Sequence, residues 1–173
     1  MIASGPERSD PPESRAHGSL VECVSISGAL QHFAMVESEA RAPDETGGIL
    51  IGRIRDATLV LTHVTGPGPN AIHRPTLFVR DGHHAQRALE DAAGESGGAD
   101  NYVGEWHSHP FPQGPSAQDL ESMERISRKP SYTCAHPVLL LCRRERARRR
   151  TWKLFAFQWD GHTLLPRRLR IAE

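Results

Sequence analysis

The segment NYVGEWHSHP, residues 101–110, constrains the fold of this chain more than any other stretch. It predicts a β-strand that stops at Pro110, because proline lacks the backbone N–H that a sheet ladder needs. Side chains alternate across a strand, so His107 and His109 face one side while Trp106 and Ser108 face the other. Two imidazoles therefore meet at an edge of the sheet, where a ligand can enter.

A third candidate ligand follows a short proline- and glycine-broken loop. Asp119 lies in the first turn of a helix predicted to open at residues 115–119 and to reach about residue 128. Two imidazole nitrogens and one carboxylate oxygen can hold zinc and leave a fourth position for water, whose pKa zinc lowers to about 7. A carboxylate near that water, but not bound to the metal, could take its proton, and Glu45 is the candidate general base.

Each of these residues also has an ordinary structural explanation. Asp119 stands three residues after Ser116, so the pair also fits a capping box that satisfies helix N-terminal amides. A histidine on a strand is usually a polar surface residue or a hydrogen-bonded one. Glu45 could be a loop carboxylate ahead of glycines that permit a turn. The joint occurrence of all four residues favours the metal site.

The remaining elements predict the fold class. Helical spacing runs over residues 29–40, and two apolar β-branched runs, GGILIGRI and ATLVLTHV, predict a hairpin. A second helix is expected from the N-cap Asp81 to about residue 95, after a poorly periodic stretch with a possible short strand at residues 76–79. HPVLLLC and TWKLFAFQWD predict two further strands. We expect an α/β (α+β) fold, with a mixed, largely antiparallel sheet flanked by helices.

Composition limits the domain count and the class of partner. The chain has 173 residues, 38% of them hydrophobic, which predicts one domain over residues 19–173. Residues 1–18 are rich in proline, serine and charge and predict a flexible tail. Lys plus Arg and Asp plus Glu are 21 each, so no global field attracts nucleic acid or a membrane. The first residues contain no apolar run, and the three cysteines form no CxxC pair, so a cytoplasmic protein with reduced thiols is expected.

With these residues identified, the chain resembles a known family. ETGGILIG (residues 45–52) and GEWHSHPFPQGPSAQD (residues 104–119) are similar to the JAMM/MPN metalloprotease pattern of Glu, His-x-His-Pro and Ser-x-x-Asp, over roughly residues 28–160. The resemblance implies zinc held by His107, His109 and Asp119, Glu45 as general base and Ser116 supporting the oxyanion. It also implies a fold like that of cytidine deaminases. Members with the whole set are isopeptidases or peptidases acting on ubiquitin or ubiquitin-like tails, and members lacking ligands are scaffolds.

The spacing departs from the family pattern at one point. Six residues separate His109 from Ser116, where the family usually has seven. We expect the intact Ser-x-x-Asp unit still to present Asp119 to the metal, with Glu121 as the fallback ligand. The segment GPGPNAIHRPTLFVRD resembles small bacterial members encoded beside ubiquitin-transfer-like enzymes in antiphage systems.

That resemblance implies a ubiquitin-like protein, its conjugates and ubiquitin-transfer-like enzymes of the same operon as partners, and no membrane. Two alternatives stay open. One is a non-catalytic, zinc-organised binding module. The other is a nucleic-acid-related role, which the basic run RRERARRR (residues 143–150) could serve, although a solvated hairpin turn is the expected account of that run.

Overall fold

The structure, a computed structural model, describes residues 19–145 and 151–173. The expected N-terminal tail, residues 1–18, lies outside the described residues, as do residues 146–150 of the basic run. The strands are β1 Cys23–Ser27, β2 Gly47–Arg55, β3 Thr58–Val64, β4 Ile72–Arg74, β5 Leu77–Val79, β6 Asn101–His109, β7 Val138–Arg144, β8 Trp152–Trp159 and β9 Leu164–Ala172. The helices are α1 Gly28–Arg41, α2 Gly82–Glu95 and α3 Ala117–Arg128, with a 3-10 turn at Pro130–Tyr132.

Seven strands close into a barrel in the order β1-β3-β2-β6-β7-β8-β9, and β9 returns to pair with β1. The pairs β1–β3, β1–β9 and β6–β7 are parallel, and the other four pairs are antiparallel. The predicted mixed sheet with helices is confirmed. Closure of the barrel was not predicted, because neither β1 nor β9 was recognised in the sequence. Since the first and last strands are neighbours, we propose that residues 19–173 form a single domain.

Local sequence accounts for where the elements begin and turn. Ser27 caps α1 by accepting from the Leu30 amide at 3.3 Å, and Asp81 caps α2 as predicted, accepting from the amides of His83 and His84. Strands β2 and β3 form the predicted hairpin. The two apolar runs placed the turn at Arg55 and Asp56, and it falls one residue later, at residues 56 and 57. Both of these residues have positive φ angles, of 45° and 58°.

Two clusters of apolar side chains lie on the two faces of the sheet. Leu50 and Leu140 belong to the cluster that includes Ala34 of α1. Their neighbours Ile49 and Leu139 belong to the other cluster, together with residues of α2 and α3. This division follows from the alternation of side chains along β2 and β7. Among the residues that the structure describes, no helix is long and apolar enough to cross a membrane.

The pairing of β2 with β6 is the feature that positions the site. Gly47 lies opposite His107 in this antiparallel pair, and a Cβ atom at Gly47 would collide with the Trp106 carbonyl oxygen. The sequence had suggested that the glycines serve a turn. Gly47 is instead required by the close approach of two strands, which brings the loop carrying Glu45 beside the histidines.

Candidate metal centre and catalytic cleft

The two predicted histidines end strand β6 on one face. Their Nε2 atoms are 3.1 Å apart and their ring centroids are 4.9 Å apart. The exposed fraction of the side chain is 14% for His107 and 3% for His109. Trp106 points to the other face, where its Nε1 donates to the Thr65 carbonyl at 2.8 Å. The prediction that the histidines share one face of the strand and that Trp106 points to the other is confirmed, and Trp106 is buried in the apolar core.

Asp119 reaches the histidines from the first turn of α3. Its Oδ1 lies 3.0 Å from Nε2 of His107, and its Oδ2 lies 3.5 Å from Nε2 of His109. The six-residue loop is therefore long enough to bring Asp119 to this point. Glu121, the fallback ligand, is exposed and does not belong to the cluster.

The donor atoms of these three side chains fit a single small cation. One ligand atom from each of His107, His109 and Asp119 can be chosen so that all three lie within 4.8 Å of one another. Donors that share one tetrahedral ion at bond lengths of about 2.0–2.1 Å stand roughly 3.3 Å apart. The closest approaches between the three pairs of side chains, 3.0, 3.1 and 3.5 Å, are near that spacing, and Asp119 approaches His107 with Oδ1 and His109 with Oδ2. Two imidazole nitrogens and one carboxylate oxygen are also ligands suited to a divalent transition-metal ion.

Ser116 and Asp119 form the capping box that the sequence left as an alternative. Oδ2 of Asp119 accepts from the Ser116 amide at 2.6 Å and from its hydroxyl at 2.9 Å, and Oγ of Ser116 accepts from the Asp119 amide at 3.2 Å. These bonds turn Oδ1 toward His107. The cap and the ligand cluster are therefore compatible, because both cap bonds that Asp119 accepts fall on Oδ2, whereas Oδ1 faces Nε2 of His107 at 3.0 Å.

Glu45 faces the cluster without joining it. It lies in the loop between α1 and β2, is 9% exposed, and places Oε1 4.0 Å from Nε2 of His109. A carboxylate at this position is close enough to share a water molecule with a cation held by the three ligands. The arrangement therefore suits a general base.

The backbone next to Glu45 is tied to strand β6 by a residue that sequence reasoning did not assign. The Thr46 amide donates to Oγ of Ser108 at 3.0 Å, and the Ser108 amide donates to the Thr46 carbonyl at 2.7 Å. Both residues are fully buried. Ser108 points away from the histidines, so its hydroxyl holds the glutamate loop while its neighbours form the cluster. The alternation of β6 predicts its direction, but the partner lies 62 residues away in sequence.

Burial and charge set the protonation of these groups. Burial raises the pKa of Glu45 to about 7; the charge of His107 opposes the shift and that of Asp119 adds to it. Burial, helped by the charge of His107, lowers the pKa of His109 to about 4. A carboxyl with a pKa near neutrality can both accept and return a proton, which is what general acid–base catalysis requires.

His107 and Asp119 form an ion pair. Burial is the largest single effect and opposes the charge on each, but the hydrogen bond and the charge attraction between them, with smaller contributions from their neighbours, together outweigh it; the pKa of His107 is raised and that of Asp119 is lowered to about 2. The amide and hydroxyl of Ser116 also lower the pKa of Asp119. A cation binding here would displace the proton of His107, because an imidazole nitrogen ligates only when it is deprotonated.

The cluster opens into a cleft of about 310 Å³. One wall is the β4–β5 hairpin, which contributes Phe78, preceded by Thr76 from its turn. The opposite wall is the start of α3, and the floor is β6.

A second group missed by sequence reasoning joins the hairpin to the floor. Glu105 shares the face of His107, and its Oε1 is 2.5 Å from a guanidinium nitrogen of Arg80, just beyond β5. Arg80 also donates to the Tyr132 hydroxyl at 2.7 Å, and the Tyr102 hydroxyl lies 3.3 Å from Glu105. These contacts fix the end of the hairpin against β6. Alternation on β6 could have placed Glu105 in the site, but nothing local identified Arg80.

The basic run is only partly described. Arg143 and Arg144 end β7, and their guanidinium groups lie over the rings of Phe155 and Trp152 at 4.1 and 4.9 Å. Residues 146–150, on which the expected solvated turn depends, lie outside the described residues. The turn therefore stays a prediction.

The chain is similar to one protein family and to several individual proteins. The family described as prokaryotic homologues of the JAB domain matches residues 29–155. A protein of Escherichia coli named CD-NTase/cGAS isopeptidase is 42% identical over 80 residues, which cover 45% of this chain and 51% of that protein. A protein of the same name from Enterobacter hormaechei is 32% identical over 130 residues, covering 73% of this chain and 69% of the relative.

A further relative and a solved structure are also similar to this chain. The probable metalloprotease y4qB of Sinorhizobium fredii is 34% identical over 112 residues, covering 62% of this chain and 68% of the relative. The solution structure of a protein from Desulfitobacterium hafniense superposes with a TM-score of 0.65 at 19% identity, covering 87% of this chain and 93% of that one. That structure shares the fold. The chain spans about half the length of its Escherichia coli relative.

Proposed function

Because the chain belongs to the family of prokaryotic homologues of the JAB domain, we propose that it is a zinc-dependent isopeptidase. The proposed reaction cleaves the amide bond after the C-terminus of a ubiquitin-like protein, either to release it from a target lysine or to process its precursor. The observation that carries the proposal is the convergence of three side chains whose ligand atoms approach one another pairwise to 3.0–3.5 Å, with Oε1 of Glu45 4.0 Å from Nε2 of His109. The relatives named isopeptidase and probable metalloprotease support it.

The proposed cofactor is zinc held by His107, His109 and Asp119. When bound there, zinc would supply a Lewis acid that polarises the scissile carbonyl and makes water more acidic. The chain's own residues prepare this chemistry. The Ser116 hydroxyl orients Asp119, and burial keeps His109 neutral and ready to ligate.

Glu45 is the proposed general base and, later, the general acid. Its carboxylate removes a proton from the attacking water and returns it to the departing lysine amine. The raised pKa of about 7 suits both transfers. The bonds between Thr46 and Ser108 keep the carboxylate in place during the reaction.

Ser116 is the proposed oxyanion donor. Its hydroxyl lines the cleft but is engaged with Asp119 in the capping box. To stabilise an oxyanion, the hydroxyl would have to turn from Asp119 toward the substrate, while the Ser116 amide keeps its bond to the same carboxylate. A single donor of this kind is worth on the order of a hundredfold or more in rate.

The substrate is proposed from the shape of the cleft and from the relatives. A ubiquitin-like C-terminal tail is extended and has small residues, so it suits a cleft of about 310 Å³ walled by Phe78 and could pair with an exposed edge of the β4–β5 hairpin. Three relatives are named CD-NTase/cGAS isopeptidase. We therefore propose a role in a bacterial antiphage conjugation pathway, in the cytoplasm, with ubiquitin-transfer-like enzymes as partners. The relation to cytidine deaminases implied by the family resemblance stays a prediction.

Cleavage of two fusion proteins tests the proposal. In one, the C-terminal tail of a ubiquitin-like protein precedes a fluorescent protein, and in the other the tail of a CD-NTase does. The zinc-loaded chain should cleave at least one of them, and Glu45→Gln should lower kcat by a factor of about 10² to 10⁴ while zinc content is unchanged. Asp44→Asn removes the neighbouring carboxylate of the same loop and should leave kcat unchanged.

Two results would contradict this mechanism. Wild-type rates from Glu45→Gln would remove Glu45 from the reaction. A zinc-loaded chain that binds a tail but cleaves neither fusion would instead support the zinc-organised binding module. The capping box is the observation that favours this alternative, because it gives Ser116 and Asp119 a structural role that does not depend on catalysis.

A further inference from the structure

Both backbone polar groups of Glu45 are held by consecutive residues of the β4–β5 hairpin. The Glu45 amide donates to the Arg74 carbonyl at 2.9 Å. The Glu45 carbonyl oxygen lies 2.9 Å from Nδ1 of His73. A carbonyl oxygen only accepts, so Nδ1 of His73 carries the hydrogen whether the ring is neutral or charged.

One peptide group is therefore bound on both of its edges. The peptide that joins Glu45 to Thr46 receives the His73 bond at its carbonyl, and its N–H donates to Oγ of Ser108. The plane of this peptide determines the direction in which Glu45 leaves the backbone. Without the His73 bond, the peptide is held only by the bond between the Thr46 amide and Ser108, and its plane can tilt about that one bond.

His73 also lies in the β4–β5 hairpin, which forms one wall of the cleft through Phe78. It is half-buried and lies directly across from Phe78 in the β4–β5 pair, with ring centroids 5.5 Å apart. The β4–β5 hairpin makes a separate two-stranded sheet, without ladder bonds to the barrel among the described residues. Two-stranded sheets are marginally stable alone, so contacts such as this one attach the wall to the site.

We propose that His73 is a positioning residue whose Nδ1–H bond to the Glu45 carbonyl aims the glutamate at the ligand cluster and joins the cleft wall to the general base. The inference rests on the proposed function for the role of Glu45. It assigns a task to a histidine that the motif does not contain. His73 touches neither the ligands nor the space where a substrate would react, so it acts only through Glu45.

Three substitutions of His73 separate this role from a general loss of packing. In His73→Asn the side-chain amide nitrogen can occupy the position of Nδ1, whereas in His73→Gln it lies one bond farther out, near the position of Nε2. His73→Ala removes the donor. Asn should keep kcat within about threefold of wild type, while Gln and Ala lower it by a factor of about 10 to 100, the scale expected for a misplaced catalytic group. KM and zinc content should not change.

His136→Ala is the matched control. Its Nδ1 also lies 3.0 Å from a backbone carbonyl, that of Trp159, but it does not line the cleft. This variant removes a comparable bond and should leave kcat unchanged. Equal losses in the Asn, Gln and Ala variants, or a loss that appears only in KM or in zinc content, would overturn the inference.

A measurement without substrate keeps the inference testable if neither fusion is cleaved. Nitrogen-15 NMR of the zinc-loaded chain should show a proton on Nδ1 of His73. Hydrogen exchange at the Glu45 and Thr46 amides should be faster in the Ala and Gln variants than in wild type or Asn. An Nδ1 without a proton, or unchanged exchange in all variants, refutes the positioning role. Failure of cleavage by the wild type would refute only the proposed function.

Discussion

Replacing Gly47 with alanine should damage both the fold and the metal site. A Cβ atom at this position would meet the Trp106 carbonyl oxygen, a ring carbon of Phe78 at 2.8 Å and Cβ of His107 at 2.9 Å. The first of these is a backbone atom of the paired strand, so β2 must move away from β6 to make room. The change acts on the pair that brings the loop of Glu45 to the histidines.

The expected loss of stability in Gly47→Ala follows from the collision of the added Cβ atom with its neighbours. Inserting a carbon into a packed site typically costs about 1–3 kcal/mol, and 1 kcal/mol shifts Tm by roughly 2–4 °C in a chain of this size. Gly47→Ala should therefore lower Tm by roughly 2–12 °C. Because Cβ of His107 must also shift, zinc affinity should fall. Thermal unfolding with and without zinc, and zinc titration against a chromophoric chelator, measure the two effects.

Gly94→Ala is the matched control for this change. Gly94 lies in α2, and a Cβ atom there would meet nothing within 4 Å. Alanine in a helix is favoured over glycine by about 0.8–1.0 kcal/mol, so this variant should be slightly more stable than wild type. If Gly47→Ala melts at the wild-type temperature and binds zinc equally well, the close approach of β2 and β6 is not what selects glycine here.

Two further predictions test the contacts around the site. Ser108→Ala leaves the buried Thr46 amide without its acceptor, which should lower the free energy of unfolding by about 1–3 kcal/mol. The control Ser38→Ala removes a buried hydroxyl that donates to the Ala34 carbonyl, and it should lower the free energy of unfolding by less. Equal losses of the two variants in urea unfolding would contradict the role given to Ser108. Removing zinc with a chelator should lower Tm, since zinc at a hundredfold excess over its Kd adds about 2.7 kcal/mol of stability; a Tm that zinc does not change in calorimetry would argue against the metal site.

Sequence reasoning predicted the elements that carry the ligands. Strand β6 was predicted with its observed bounds, and the start of α3 was predicted within two residues. These features depend on short-range rules: side chains alternate along a strand, proline ends a strand because it has no backbone N–H, and capping residues mark the start of a helix. Strands β1, β4 and β9 were missed. Their short or charge-rich sequences lack clear periodicity, and long-range pairing alone stabilises them.

The residues that support the site could not be predicted in the same way. His73 and Ser108 hold the backbone at Glu45 and Thr46 across 28 and 62 residues of sequence. Arg80 reaches Glu105 from the end of the hairpin. Which distant residues meet is decided by strand register and by the path of loops, and neither is encoded in a local pattern.

The sequence by itself determined that His107 and His109 share a face and that Asp119 opens a helix after a short loop. Backbone geometry requires both, whatever the rest of the chain does. Only the tertiary structure decided that these side chains meet with donor atoms 3.0–3.5 Å apart and that Glu45 lies 4.0 Å away. The physical reason is that this convergence depends on the register of β2 against β6, which long-range backbone hydrogen bonds and a close contact at Gly47 set together.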